Sequence, residues 1–221
     1  MPRGLLITFE GSEGCGKSTQ VERLAARLRE TGESVAVTRE PGGTAIGEHI
    51  RHLLQFAPES AHMTAESELL LFEASRAQLV REVIQPARTA GTIVICDRFF
   101  DSTTVYQGAA RKLPIDVVEQ LNRFALADAI PDLTFVIDLD PATARTRMLR
   151  RVRPATAPDR MEQEAHEFYE RVAEAYRALA ARETERVVLI DGSPPPDQIE
   201  AEIWRVISDR FPQAAIGNPN S

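Results

Sequence analysis

The sequence predicts one α/β domain in which a five-stranded parallel sheet carries helices on both faces. Five short runs rich in Val, Ile, Leu and Phe have the nearly continuous apolar character of parallel strands buried on both faces. These runs are Leu5–Phe9, Ser34–Thr38, Thr92–Cys96, Leu133–Leu139 and Arg186–Ile190. Helical stretches alternate with them, which is the pattern of a doubly wound fold with its ligands at the carboxyl ends of the strands.

Glycines and prolines mark the boundaries of these elements. Gly32 and Gly91 end helices just before the second and third strands, and Pro131 precedes the fourth. The segment Gly192–Pro196 breaks the chain after the fifth strand. We therefore expect a single domain over residues 1–212, followed by a frayed, disordered tail over residues 213–221.

The composition is that of one soluble domain with room for a mobile insert. The chain has 221 residues, of which 43% are apolar, and its formal net charge is −7. This negative charge argues against nucleic acid as the main partner. The two cysteines fit no zinc site or disulfide framework. No signal segment and no run of about 20 apolar residues is present, so we expect a cytoplasmic protein without a membrane partner.

The segment Gly11–Ser18 reads G-x-x-x-x-G-K-S and directly follows the first apolar run. Its glycines allow backbone N–H groups to surround an anion, Lys17 can reach the outer phosphates, and the Ser18 hydroxyl can hold Mg²⁺. A helix predicted from Ser18 to Glu30 directs its positive end at the same phosphates. The segment therefore predicts a nucleoside triphosphate site and the fold of the P-loop NTPases. Its predicted residues are Gly11, Ser12, Glu13, Gly14, Cys15, Gly16, Lys17, Ser18 and Thr19.

Charged residues at two other strand ends could complete a phosphate site. Asp97 and Arg98 follow the third strand, where a carboxylate can hold Mg²⁺ and a guanidinium can bind a phosphate through two N–H groups. Arg39 follows the second strand and offers a second guanidinium. The structural alternative for Asp97 and Arg98 is an ion pair that caps the strand.

Two further clusters could bind a base and a sugar. Phe72 and Arg76 are four residues apart on a predicted helix and share a face, where a ring could stack on a base and a guanidinium could donate to a carbonyl. A phenylalanine in such a helix is more often a core residue. The segment Ser102–Gly108 brings polar groups beyond the third strand, and its structural alternative is a solvated helix face.

Taken together in this order, these motifs resemble the thymidylate kinase family, bacterial type. The resemblance runs from about Leu5 to about Arg182. The matching stretches are Phe9–Gly11 with the phosphate loop, Arg39–Thr44, Leu71–Arg76, Asp97–Phe99 with Ser102, Tyr106–Gly108, and Asp159–Glu162. Each middle motif is weak alone, but their joint presence is specific.

The resemblance implies transfer of the γ-phosphoryl group of ATP to dTMP, giving dTDP and ADP in dTTP synthesis, with Mg²⁺ as cofactor. It also implies a homodimer. Among the residues it implies for dTMP binding, Phe72 would stack on thymine and Arg76 would contact a thymine oxygen. The remaining implied residues are Arg39 and Arg98 on the acceptor phosphate, Glu13 near the 3′-hydroxyl, Tyr106 beneath the deoxyribose, Gln107 beside the base, and Ser102.

A lid is expected over residues 147–160. Some family members carry an arginine inside the phosphate loop, whereas this chain has Gly14 there, and members without that arginine supply the cation from the lid. Arg147, Arg150, Arg151 and Arg153 lie in this segment. We expect Arg153 to act, with Arg150 as the second choice. The link Pro154–Pro158 is longer than in similar members and contains prolines, so which arginine acts is open.

Two other functions fit the phosphate loop. A kinase for another small acceptor, such as a deoxynucleoside, would need a base to deprotonate a hydroxyl, and Glu13 or Asp97 could serve. Two arginines available for an acceptor phosphate favour a monophosphate instead. A nucleotide-dependent switch or assembly ATPase would need a water-positioning residue and a partner surface, and no guanine-reading motif is present.

Overall fold

Five parallel strands form one sheet in the computed structural model, in the order β2-β3-β1-β4-β5. The strands are β1 (Leu6–Glu10), β2 (Val35–Arg39), β3 (Ile93–Asp97), β4 (Leu133–Asp138) and β5 (Val187–Asp191). The structure describes residues 3–150, 160, 164 and 166–216, without the side chains of 149, 150 and 216. The predicted five-stranded parallel sheet is confirmed, and each strand lies within one residue of its predicted bounds. The expected burial on both faces is wrong for β2 and β5, which are partly exposed because they lie at the two edges of the sheet.

Helices connect the strands and cover both faces of the sheet. They are α1 (Lys17–Glu30), α2 (Ala45–Gln55), α3 (Ala65–Leu79), α4 (Gln85–Thr89), α5 (Phe100–Thr103), α6 (Ile115–Leu126), α7 (Pro141–Arg150), α8 (His166–Arg182), α9 (Pro196–Arg210) and α10 (Pro212–Ile216). A 3₁₀ turn occupies Pro58–His62, and π-helical turns at Val80–Ile84 and Thr104–Ala110 follow α3 and α5. Among the described residues, no helix has the length and apolar character needed to cross a membrane.

The central strand β1 is buried on both faces, because successive side chains point to opposite sides of a strand. Ile7 packs with α1 and α9, in the cluster that contains Leu24 and Ile203. Leu6 packs on the other side, with Leu79 at the end of α3 and with residues of α6. A continuous apolar run is therefore the sequence that this strand requires, since neither face meets water.

The chain end departs from the prediction. Gln213, expected to lie in a frayed tail, belongs to the short helix α10, where Ala214 is buried. The Thr31 hydroxyl after α1 donates to the carbonyl oxygen of Ala214 at 3.0 Å, which fixes this helix against the domain. Residues 217–221 of the predicted tail lie outside the described residues.

Parallel register brings charged residues together at the carboxyl edge of the sheet. Arg39 at the end of β2 lies opposite Asp97 at the end of β3, and Asp97 lies opposite Phe9 of β1. The phosphate loop begins directly after β1. The predicted donor-phosphate, metal and acceptor-phosphate residues therefore share one edge, as expected for a doubly wound sheet.

Candidate active site

The phosphate loop has the backbone conformation that its glycines allow. Gly11, Gly14 and Gly16 have φ angles of 133°, 80° and 106°, a region that side chains with a Cβ disfavour. The Lys17 ammonium lies over the loop, 3.1 Å from the carbonyl oxygen of Gly11 and 2.9 Å from that of Ser12. Its charge is thus held against the loop that is predicted to bind the phosphates of a nucleotide.

Helix α7 packs directly against Gly14. A Cβ atom at this position would lie 2.3 Å from the carbonyl oxygen of Ala144, closer than non-bonded atoms approach. A side chain at Gly14 would therefore displace α7, the helix that leads into the predicted lid. The loop lacks its own arginine, and this packing gives a physical reason why the helix and an arginine in the loop exclude each other.

Ser18 and Asp97, the two residues predicted to hold a metal ion, lie side by side in the structure. The Ser18 hydroxyl, at the start of α1, donates to the Asp97 carboxylate at the end of β3 over 2.7 Å. These two oxygens are hard ligands of the kind that Mg²⁺ prefers, and Mg²⁺ usually takes few protein ligands and keeps several waters. Within the described residues, no group of three or more His, Cys, Asp or Glu could hold a metal ion.

Arg98 is the centre of a cluster that joins three segments. Its Nη2 donates to Glu13 in the phosphate loop at 2.6 Å and to the Tyr106 hydroxyl at 3.3 Å, and its Nη1 donates to Ser102 at 3.1 Å. Burial opposes its charge, but the adjacent Glu13 carboxylate, together with Tyr106, Tyr176 and Glu10, more than offsets this and holds the pKa of Arg98 well above its usual value. A fixed, fully charged guanidinium beside the phosphate loop is suited to binding an acceptor phosphate.

Tyr106 and Gln107 are buried, so a solvated helix face is the wrong description of this segment. The Tyr106 ring lies edge-on to Phe168 and Tyr176, with centroid separations of 5.9 and 6.4 Å. Burial raises the pKa of the Tyr106 hydroxyl, which therefore stays protonated. The Gln107 amide donates to Glu68 at 2.7 Å.

Arg39 pairs with Glu48 on α2. Its Nη2 lies 2.9 Å from both carboxylate oxygens, and the side chain is half exposed. The exposure leaves room for the guanidinium to exchange Glu48 for another anion, because surface ion pairs are weak. No pattern in the sequence predicts Glu48 as the partner of Arg39.

Phe72 and Arg76 differ in their surroundings, although the helix brings them to one side as predicted. Phe72 is partly exposed, whereas Arg76 is 1% exposed and every one of its N–H groups has a partner inside the protein. The partners are Glu40, Glu73, Asn122 and Thr103, at 2.7 to 3.0 Å. The predicted contact of Arg76 with a thymine oxygen is not available to this arrangement unless one of these bonds is exchanged. Glu73 lies three residues before Arg76 on the same helix, a spacing that allows this pair, whereas helical spacing cannot reveal the partner Glu40.

Among the four arginines considered for the catalytic cation, Arg147 is the one whose side chain the structure describes. It donates to the carbonyl oxygens of Gly192 and Ser193, at 2.9 and 3.3 Å, and so ties α7 to the loop after β5. Arg160 donates to the Leu54 carbonyl oxygen and forms an ion pair with Glu68. Arg151 and Arg153, and the side chain of Arg150, lie outside the described residues.

Sequence reasoning missed two residues of this site as functional groups, Glu10 and Tyr176. The Tyr176 hydroxyl on α8 donates to the fully buried Glu10 carboxylate at 2.7 Å, and both lie beside Arg98. Glu10 is the last residue of an apolar strand, so an acid at a position that should be buried was the one available signal.

Comparisons with known proteins agree with this geometry. The family model for thymidylate kinase matches residues 9–203. A thymidylate kinase from Deinococcus radiodurans is 44% identical over 210 residues, covering 95% of this chain and 99% of that protein. One from Halothermothrix orenii is 46% identical over 205 residues, covering 93% and 97%.

The solved structures give the same result for the fold. The crystal structure of thymidylate kinase from Ehrlichia chaffeensis superposes with a TM-score of 0.75 at 34% identity, and covers 94% of this chain and 99% of that one. The fold expected from the phosphate loop and the strand pattern is confirmed. The chain belongs to the thymidylate kinase family.

Proposed function

We propose that this protein transfers the γ-phosphoryl group of ATP to dTMP, giving dTDP and ADP for dTTP synthesis, in the cytoplasm. The observation that carries the proposal is the junction between the phosphate loop and the loop after β3, where Arg98 bonds to Glu13. A guanidinium suited to an acceptor phosphate thus lies against the loop suited to the donor phosphates. Family membership supports dTMP as the acceptor.

Donor binding is assigned to the loop Gly11–Thr19. On nucleotide binding, the Lys17 ammonium would exchange two backbone carbonyls for phosphate oxygens, which are stronger acceptors because they are charged. Ser18 and Asp97 would hold Mg²⁺, which supplies neutralisation of phosphate charge when bound. The loop after β5, tied to Arg147, is the proposed wall of the adenine site.

Acceptor binding is assigned to residues around Arg98. We assign the phosphate of dTMP to Arg98 and Arg39, the 3′-hydroxyl to Glu13, and the deoxyribose to the Tyr106 ring. Phe72 would stack on thymine, and Gln107 and Ser102 would border the pocket. Arg76 keeps a proposed role at the base only through exchange of one internal bond. The attacking phosphate oxygen is already ionised near neutral pH, so the reaction needs alignment and charge neutralisation rather than a general base.

A cation from the lid completes the proposed mechanism. The close packing of α7 on Gly14 supports a loop without its own arginine, and so favours a cation from the segment that α7 leads into. Arg153 is the first candidate and Arg150 the second. Such a cation would bind the transferring group more tightly in the transition state than in bound ATP.

We further propose that the chain forms a homodimer through α2, α3 and α6. These neighbouring helices expose Ile46, Leu53, Leu70, Val117 and Phe124, and Phe124 is 78% exposed. Exposed apolar residues grouped on one surface of neighbouring helices are typical of a protein–protein interface. Light scattering should give twice the chain mass for the parent and a monomer for Phe124→Asp with Leu70→Asp. A parent that stays monomeric at micromolar concentration would contradict the proposal.

An acceptor panel tests the proposed reaction. ADP release from ATP and Mg²⁺ is followed with dTMP, dUMP, dCMP, AMP or thymidine, and with no acceptor. We expect dTMP to give the highest kcat/KM and the acceptor-free rate to be negligible. Preference for thymidine would indicate a nucleoside kinase, and slow hydrolysis independent of the acceptor would indicate a switch.

A further inference from the structure

Glu10 at the end of β1 is a fully buried carboxylate with four hydrogen-bond donors. Its Oε1 accepts from the backbone N–H groups of Phe99 and Ser102, at 2.7 and 3.2 Å. Its Oε2 accepts from the hydroxyls of Ser102 and Tyr176, at 2.6 and 2.7 Å. The carboxylate therefore binds the first turn of α5 and connects it to α8.

The same two hydroxyls face Arg98. The Nη1 of Arg98 lies 3.1 Å from the Ser102 oxygen and 3.5 Å from the Tyr176 oxygen. Because each hydroxyl has one proton and directs it at Glu10, each oxygen presents its lone pairs towards the guanidinium. The charge on Glu10 thus sets the direction of both hydroxyls, and with it their attraction for Arg98.

The backbone at Arg98 is constrained from both sides by the end of β1. Arg98 has a φ of 69°, a left-handed conformation that is uncommon for residues with a side chain. Its own N–H donates to the Phe9 carbonyl oxygen at 2.9 Å, and the next N–H, that of Phe99, donates to Glu10. Phe9 and Glu10 together therefore hold the strained residue in place.

We propose that Glu10 is a positioning residue for Arg98, fixing the guanidinium in the place and direction from which it binds the acceptor phosphate. The inference rests on the proposed function, in which that phosphate belongs to dTMP. Glu10 does not touch the acceptor, since it lies behind the layer formed by Ser102 and Tyr176. It acts on binding through the two hydroxyls and the backbone of Phe99.

The groups around Glu10 act on its ionisation in both directions. Burial and the neighbouring Asp101 on α5 raise the pKa of Glu10, while Arg98 and the hydrogen bonds from Ser102 and Tyr176 lower it, and the net direction is upward. Arg98, Ser102 and Tyr176 thus favour the ionised form of Glu10, and that carboxylate in turn orients the same three side chains. Glu40, after β2, is a further acid close enough to interact with Glu10.

Glu10→Gln tests the inference, because the amide keeps the shape of the carboxylate but replaces one acceptor oxygen by an NH₂ group. With the amide oxygen facing the N–H groups of Phe99 and Ser102, the NH₂ group faces both hydroxyls, which must then turn their protons away from it and towards Arg98. Binding of dTMP and of thymidine, which lacks the phosphate, is measured by calorimetry in parent and variant. We expect dTMP binding to weaken by roughly 10- to 100-fold and thymidine binding to change by less than about twofold. The KM for ATP should stay close to that of the parent.

Asp101→Asn is the matched control, since Asp101 is another fully buried carboxylate on the adjoining α5 but pairs with Arg186. Asp101→Asn should lower the melting temperature without weakening dTMP binding more than thymidine binding. Equal weakening of both ligands by Glu10→Gln, or no weakening, would overturn the inference. If Glu10→Gln does not fold, Tyr176→Phe decides the matter: a loss selective for dTMP supports the inference, and no selective loss overturns it.

These outcomes are distinct from failure of the proposed function. A folded parent that binds neither dTMP nor thymidine would overturn the proposed function and this inference with it. A parent that phosphorylates dTMP, together with a variant that shows no selective loss, would overturn the positioning role alone.

Discussion

The Arg98 guanidinium and the Glu13 carboxylate are joined by a 2.6 Å hydrogen bond across 85 positions of the chain. Glu13 belongs to the phosphate loop after β1, and Arg98 follows β3. The bond therefore connects the loops that follow two adjacent strands. On the proposed assignment these residues bind the 3′-hydroxyl and the phosphate of one acceptor. Their separation in the structure is short enough for a single nucleotide to contact both.

Replacing Lys17 by alanine should remove most of the activity and leave the fold intact. Loss of a charged contact to the transferring group should cost about 3–4 kcal/mol, or ~10²–10³ in kcat. ADP release and thermal unfolding measure the two effects. The exposed Lys112, replaced in the same way, is the control. A Lys17→Ala variant with the parent rate would show that the donor site is wrongly assigned.

Phe72→Ala should raise the KM for dTMP far more than the KM for ATP. Stacking of a base on an aromatic ring contributes roughly 1–3 kcal/mol, and Phe72 is partly exposed, so removing it should leave the core largely packed. Leu71→Ala on the same helix is the matched control, because Leu71 is also partly buried. If Phe72→Ala changes the KM for dTMP and the KM for ATP equally, Phe72 has a structural role and does not stack on the base.

Substitutions of Tyr106 separate its ring from its hydroxyl. Tyr106→Phe should keep the preference for deoxyribose over ribose, since the ring remains. Tyr106→Ala should reduce this preference by up to a few kcal/mol. The measurement is the ratio of kcat/KM for dTMP to that for ribothymidine monophosphate, which does not depend on the folded fraction. This matters because the alanine leaves a cavity beside Phe168 and Tyr176. An unchanged ratio in Tyr106→Ala would contradict the steric role.

Single alanine variants of the four lid arginines should identify the catalytic cation. We expect Arg153→Ala to lower kcat by ~10²–10³ with little change in the KM for dTMP, by analogy with arginine fingers. Arg147→Ala should raise the KM for ATP instead, because Arg147 bonds to the loop at Gly192 and Ser193. Near-parent kcat in all variants, at 147, 150, 151 and 153, would rule out the lid-cation mechanism.

Glu68 should make the stability of the protein depend on pH. Burial raises the pKa of this carboxyl, but hydrogen bonds from Arg111 and Gln107 outweigh burial and lower it below its usual 4.5. A carboxyl with a lowered folded pKa stabilises the fold above pH 4.5, and this contribution is lost as the pH falls further. Glu68→Gln should therefore cost about 3 kcal/mol at pH 7 and less at pH 4.

Urea unfolding at pH 7, 5 and 4 measures this effect. Glu66→Gln is the control, since Glu66 is exposed on the same helix and should change stability by less than about 1 kcal/mol. If the difference between the parent and Glu68→Gln is the same at pH 7 and pH 4, the contribution does not come from the charge of Glu68.

Local patterns in the sequence determined the strands, the phosphate loop and the order of the motifs. A short, nearly continuous apolar run predicts a parallel strand. The spacing of Gly11, Gly16 and Lys17, together with the strand before it and the helix after it, predicts the phosphate loop. The parallel sheet then requires that Arg39, Asp97 and the phosphate loop meet at one edge. These features depend on neighbours in sequence, or on topology that neighbours in sequence imply.

Only the tertiary structure decided which partners the charged side chains have. Glu40 bonds to Arg76 across 36 positions, and Tyr176 bonds to Glu10 across 166. Periodicity shows that Phe72 and Arg76 share a side of α3 and that Glu73 lies within reach of Arg76, but not that the Glu40 carboxylate also bonds to the guanidinium of Arg76. Nor does it show that α7 packs on Gly14 or that α10 packs beside Thr31. Such pairings depend on how distant elements pack, and the free energy of burying a charge is set by that packing rather than by adjacent residues.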